Sequence, residues 1–306
     1  MKSQVEPMRR SGSRQRILLD RSTIDACMDY LRNRTDSNLK RLISTRGGKV
    51  AYKHHLWASI WSRLTIEGFW KKEMERVDWN AQLETSVDET IQFLRDQEKT
   101  WFESVLMYLP RGHIFNTTVY LIGGYDSVVY GEDVTLNLNF KQIHTDHREA
   151  VYYLIHELAH AGYFRYRRMP DLAALRTMSD LLDVVKLLTH LEGMGVVSSF
   201  KQRMEEHGLF DDDYKVLLNK SERSARVQEY FTLFSRLEKA PNRKLRKEDY
   251  QILENFSARP KRLWYIVGGY MALKIEERYG TAMLQNIVKR GHAMFFRKFG
   301  QIGNNA

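Results

Sequence analysis

From Ile17 to about Val77, apolar residues recur at spacings of three and four in "ILLDRSTIDACMDYLRNR" and "HHLWASIWSRLTIEGFW", which predicts two or three helices. Trp57, Trp61, Phe69 and Trp70 fall in this stretch and read as one packed aromatic helix face. Another helix is predicted from Val87 to Leu109, closing at Pro110 and Gly112. The pattern then changes. "HIFNTTVYLIGGYD" and "SVVYGEDVTLNLNF" are rich in Val, Ile, Thr and Tyr, with period-two alternation in "VTLNLNF", so they read as strands separated by Gly and Asp turns. Helical spacing returns after Phe140. It covers about 146 to 168, up to Pro170, then Asp171 to about Glu206, where Gly193 and Gly195 are candidate break points. Further helices are predicted at 212–238, 247–256, 261–278 and 281–297. The expected fold class is α+β, predominantly helical, with one small sheet just before the helix that carries "HELAH". Residues 1–16 read as a basic, disordered arm, 17–110 as a helical N-terminal region, and 111–306 as the catalytic region, open to forming one continuous domain with 17–110.

In "VYYLIHELAHAGYF", His156 and His160 stand four residues apart, so on a helix their imidazoles share one face a turn apart and can meet at one metal ion. Glu157 lies about 100° around the helix from His156, where it would flank the metal and could take a proton from a water. The positions around them are almost all apolar, which marks a helix central in its domain. Two imidazoles and a carboxylate buried there cost free energy unless each finds a partner, and a metal would serve all three. Catalytic zinc sites usually have three protein ligands and an open position. A third histidine at HExxHxxGxxH spacing is excluded, because Tyr166 stands there. Glu192 in "LTHLEGMGVVSSF" is the first candidate, reached by an antiparallel helix after the Pro170 turn, with Gly193 and Gly195 allowing close approach. His190 is the rival. The two are about 200° apart on a helix, so only one can face the metal.

"HELAHA" followed by an "EG" helix resembles the gluzincin class of zinc peptidases, with His, His and Glu as ligands. More closely, the chain is similar to a family of zinc-dependent proteases of uncharacterised function, through "LIGGYDS" at 121–127, "HELAHAGY" at 156–163, "LEGMG" at 191–195 and "YIVGGYMALKIEERYG" at 265–280. The resemblance covers about 115–200 and 260–297; residues 1–110 match no family by their motifs. It implies a zincin-like catalytic core, Zn²⁺ on His156, His160 and Glu192, and hydrolysis of peptide bonds with Glu157 as general base. It also implies Tyr265, with Tyr270 behind it, as donor to the oxyanion, and the strand containing Gly123 and Gly124 as the edge that holds an extended peptide. One departure stands out. Thermolysin-like gluzincins carry an Asp four residues after the ligand Glu, whereas this chain has Val196, so support for a ligand histidine must come from elsewhere, with Asp126, Asp180 and Asp183 as candidates.

Composition changes this picture little. A single cysteine, Cys27, excludes an intramolecular disulfide and a cysteine-rich zinc module and fits a reducing, cytoplasmic setting. The first sixteen residues hold five basic residues and one acid but no apolar stretch, unlike a secretory signal. No run reaches the length of a membrane-spanning helix. The 48 Lys and Arg against 38 Asp and Glu, a net charge of +10, raise nucleic acid as an alternative partner to a peptide or protein substrate. The basic residues are dispersed among acids, as on ordinary solvated helix faces. The remaining alternative is a pseudoenzyme with a structural or absent zinc, against which the general base Glu157 argues.

Overall fold

Strand β1 (Arg16–Asp20) pairs in parallel with β2 (Asn116–Ile122), although nearly a hundred residues separate them. The structure, a computed structural model, describes residues 16–78, 80–208, 211–258 and 261–303. Strand β2 also pairs in parallel with β4 (Asp133–Asn137), and β3 (Val128–Tyr130) lies antiparallel beyond β4, giving the order β1-β2-β4-β3. Val119 stands opposite Val134 and Leu121 opposite Leu136, and all four are buried, so an apolar face runs along both central strands. Residues 17–20 are thus strand where the spacing predicts helix. "ILL" suits either locally; the open edge of β2 decides, since it offers ladder hydrogen bonds that a helix would leave unmade. Arg16 opens β1, its N–H donating to the Phe115 carbonyl at 3.0 Å. The rest of the expected N-terminal arm, residues 1–15, lies outside the described residues.

Six helices connect β1 to β2: α1 (Ser22–Arg32), α2 (Asp36–Ser44), α3 (Arg46–Ala58), α4 (Ile66–Glu75), α5 (Ala81–Asp96) and α6 (Glu98–Tyr108). Side-chain oxygens of Thr35, Thr45, Thr65 and Asn80 cap four of them. The helix expected from Val87 to Leu109 is divided at Gln97. The expected aromatic face also divides. Phe69 and Trp70 are buried, whereas Trp57 is half-buried and Trp61 is 58% exposed. After the sheet come α7 (Lys141–Thr145), α8 (Arg148–Phe164) and α9 (Met178–Glu205). They are followed by α10 (Asp212–Leu218), α11 (Lys220–Glu238) and α12 (Gln251–Ser257), then α13 (Leu263–Tyr279), α14 (Thr281–Arg290) and α15 (His292–Gly303). The stretch 212–238 divides at Asn219, whose side chain caps α11, and 281–297 divides at Gly291, whose φ of 90° ends α14.

Buried side chains form two large clusters. One joins the sheet to the helices of 22–109 and to α8; the other gathers α9, α11 and α13–α15 and reaches back to Tyr108 and Tyr163. Helix α8 contributes to both, which makes it the central element. It packs against β4 and β3 on one side and α9 on the other. Glu149 of α8 and Arg203 of α9 form a buried ion pair, with the guanidinium between the rings of Tyr152 and Tyr214, 4.3 and 4.4 Å from their centroids.

Helix α9 runs through Gly193 and Gly195 without a break. A glycine inside a helix costs about 1 kcal/mol relative to alanine, so a pair of them calls for a packing reason. At Gly193 the reason is α13: a Cβ there would lie 2.5 Å from the carbonyl oxygen of Gly268. The two helices cross backbone on backbone. In Gly268→Ala the new Cβ would lie 2.3 Å from the carbonyl oxygen of Thr189, which only a shift of α13 can relieve. The expected result is a loss of about 1–3 kcal/mol, read as a lower urea midpoint. An unchanged midpoint would mean that the helices part at no cost.

Candidate metal centre and cleft

His156 and His160 project from the same face of α8, with ring centroids 4.5 Å apart and nearly perpendicular. Glu192 of α9 meets both. Its Oε2 lies 3.2 Å from Nε2 of His156 and 3.3 Å from Nε2 of His160, and the ligand atoms of all three residues lie within 4.8 Å of one another. Gly195 permits the approach, since a Cβ there would stand 2.6 Å from the His156 ring. Ligands about 2.0–2.2 Å from a tetrahedral zinc are about 3.3–3.6 Å from each other, and the two carboxylate–imidazole separations lie at or just below the lower end of that range. Two nitrogens and one oxygen on three positions also suit zinc and leave a fourth for water.

His190 turns the other way. Its Nδ1 is 3.0 Å from the Tyr163 hydroxyl and its ring stacks on Phe295 at 4.6 Å, and burial pushes its pKa well below the usual histidine range. The half-turn between positions 190 and 192 separates the rival ligands as helix geometry requires.

Electrostatics favour a cation between the three groups. Burial alone would raise Glu192, but the charge of His160 and hydrogen bonds from both histidines outweigh it and hold the carboxyl well below its usual range. Burial opposes a proton on His160, yet the Glu192 carboxylate beside it brings the net shift upward. For His156, burial and then the His160 charge prevail and lower it. Glu157 is buried at the same spot without that pairing, and burial pushes its carboxyl up to about 8. A dication beside it would favour the carboxylate.

These residues open on a cleft of about 1140 Å³. Trp57, Trp61, Leu172, Tyr250, Leu253 and Trp264 give it a large apolar wall. Trp57 Nε1 donates to the Pro170 carbonyl at 2.7 Å and Trp61 meets Tyr250 edge-on at 6.2 Å, tying the segment after α3 to the far wall. Among the described residues, eight carboxylates and four basic side chains line the cleft, so its charge opposes that of the chain as a whole, which is +10. A polyanion would be repelled from it.

Tyr265, in the first turn of α13, lies on this cleft with its ring near-parallel to that of His156, centroids 6.1 Å apart. Burial and then the Glu192 charge push its pKa well above the usual tyrosine range, so the hydroxyl stays protonated and able to donate. The Arg262 guanidinium sits 3.5 Å over the same ring and donates to Asp213 at 2.9 Å. Tyr270 is elsewhere, against Phe299 at 5.9 Å and Arg223 at 5.1 Å. Of the three aspartates considered as support, Asp126 lines the cleft, Asp180 completes the N-terminal capping box of α9, and Asp183 pairs with His292 at 2.7 Å. Nδ1 of His160 is buried and has no hydrogen-bond partner among the described residues.

Gly123 and Gly124 are not brought to the metal group. Both are buried, and a Cβ would meet Ile24 and Cys27 at the first and Met74 at the second. Strand β2 cannot serve as an edge, because β1 and β4 occupy both its sides. The cleft is lined instead by Tyr125 to Val129, which lead into the edge strand β3. Of the cleft residues, His54 at the end of α3 and Arg262 carry no local signal in the sequence, and Tyr125, inside "LIGGYDS", carries none that assigns it a role. Tyr125 and Arg262 adopt left-handed φ values of 69° and 45°, uncommon without glycine and often retained where a site needs them.

A family model described as "Putative zinc dependent peptidase (DUF5700)" matches residues 30–305. The match reaches back through α2–α6, beyond the stretch whose motifs carry a resemblance. No curated protein and no solved structure matches this chain. By the extent of that match, which takes in His156, His160 and Glu192 as well as the N-terminal helices, the chain belongs to the "Putative zinc dependent peptidase" family.

Proposed function

We propose that this protein hydrolyses peptide bonds in the gluzincin manner, with His156, His160 and Glu192 as zinc ligands and Glu157 as general base. One observation carries the reading: ligand atoms of two histidines and a glutamate converge within 4.8 Å of one another, beside a carboxylate that no basic side chain among the described residues hydrogen-bonds, on the wall of a cleft. Zinc held there would supply a Lewis acid that acidifies water and polarises the scissile carbonyl. Glu157 takes the proton as the water oxygen attacks the carbonyl carbon, and passes it to the amine nitrogen as the C–N bond breaks. The Tyr265 hydroxyl donates to the oxygen that gains charge in between. A substrate in extended form would lie along β3, the edge strand at the cleft, with the segment beginning at Gly123 and Gly124 setting the position of Tyr125 to Val129 rather than touching it. Residues 17–110 work in one body with 111–306, since their side chains share a core with the sheet and α8.

A purely structural zinc would have no use for Glu157, and the acidic cleft disfavours nucleic acid there. Among the described residues, no helix is long and apolar enough to cross a membrane. Purified protein from zinc-replete cells is expected to carry about one zinc per chain, by mass spectrometry of the metal, and to cleave a peptide library. A chelator should stop cleavage and added zinc restore it. Protein that binds no zinc under these conditions sinks the reading.

A further inference from the structure

We propose that His54 completes the catalytic site from the N-terminal helical layer, donating a hydrogen bond from its Nε2–H to the substrate carbonyl oxygen at the metal group. The inference rests on the peptidase reading and adds to it a residue from a part of the chain where no motif points to chemistry.

The placement begins with α3. Thr45 caps the helix by accepting from the Gly48 N–H at 3.1 Å, and Gly47 lets it lie on the sheet, since a Cβ there would come within 2.6 Å of Tyr120. The last turn of α3 then carries His54 to the cleft wall. His160 and Glu192 line the same cleft. Nδ1 of His54 lies 3.0 Å from the hydroxyl of Tyr125. Tyr125 is held in the left-handed conformation, uncommon for a residue with a side chain, and its own carbonyl is fixed by the Asn137 amide at 2.7 Å.

This arrangement favours one tautomer. Burial raises the pKa of the Tyr125 hydroxyl well above its usual range, so it keeps its proton, and His54 is the one hydrogen-bond acceptor it meets among the described residues. We take the hydroxyl as donor to Nδ1, since it meets no other acceptor among the described residues. Burial likewise pushes His54 down to about 4, so the ring is neutral near pH 7 and its remaining proton sits on Nε2. No described residue hydrogen-bonds that nitrogen, and the ring faces the cleft. His144 and His190 likewise have one ring nitrogen anchored and the other without a partner among the described residues, but there the second nitrogen is buried, whereas His54 lies on the cleft. Here one is anchored and the other is presented as a neutral N–H donor, which strengthens its hold on a carbonyl oxygen as charge develops.

The test has two independent arms. Long-range ¹H–¹⁵N spectra of the full chain, with and without zinc, are expected to place the His54 proton on Nε2, and Tyr125→Phe to mix the tautomers. A proton on Nδ1 in the wild type would overturn the inference whatever the activity. In zinc-loaded protein, His54→Leu is expected to lower kcat for a library peptide by about 10²–10³ with KM and zinc content little changed. His54→Gln, whose amide nitrogen reaches the place of Nε2, should stay within about tenfold of wild type. An unchanged kcat in His54→Leu, or equal losses in both variants, would also overturn it. Failure of the peptidase reading looks different: the wild type would lack zinc or cleave nothing while the tautomer stood as described.

Discussion

Glu157→Gln is expected to keep its zinc and to lose peptide hydrolysis by a factor of about 10²–10⁴, the usual contribution of a positioned general base. The substitution changes almost nothing except basicity. Glutamine has the same length, so the buried space beside His156 and His160 stays filled, and its amide can still hydrogen-bond to a water. It cannot take the proton that must leave as the water oxygen forms a bond to carbon, nor return one to the departing amine. The burial that holds the Glu157 carboxyl up at about 8 without a cation makes the neutral side chain inexpensive here, so folding should not suffer. The measurement is kcat/KM beside metal content and thermal midpoint on one preparation. Hydrolysis that survives with zinc bound would remove Glu157 from the mechanism.

Glu192→Ala is expected to lose zinc together with activity. Removing a partner behind a ligand costs about 10–100-fold in metal affinity, and loss of a ligand itself should exceed that. The alanine also leaves Nε2 of His156 and of His160 without the carboxylate that both now share at 3.2 and 3.3 Å. His190→Ala is the matched control, two residues away in the same helix but facing Tyr163 and Phe295. It should keep its zinc and instead lose stability through the cavity left among those rings. The reverse outcome, zinc kept in Glu192→Ala and lost in His190→Ala, would reverse the ligand assignment. In the wild type, zinc affinity should fall as pH falls. The pKa of His160 is raised, so protonation reaches it early and places a cation where the metal would go.

The sequence by itself determined what short-range geometry carries. Four residues of a helix put His156 and His160 on one face and Glu157 beside them, and an apolar surround made that helix α8 central, as the two cores that meet on it require. The same rule reduced the third ligand to Glu192 or His190, since residues about 200° apart cannot face one metal. Which of them does so is a matter of packing: Gly195 admits the His156 ring, Gly193 admits α13, and together they turn Glu192 inward. Tertiary structure also decided β1, because a strand's hydrogen bonds belong to its partner, and here the partner lies nearly a hundred residues on. It placed the strand before Gly123 and Gly124 inside the sheet and β3 at an edge beside the cleft, because only pairing order reveals which strands are left open. His54 and Arg262 stayed invisible for the same reason, and Tyr125 was legible only as part of "LIGGYDS", without a role. Each reaches the cleft from a different element, and convergence of distant elements in three dimensions leaves no periodicity in the chain to read.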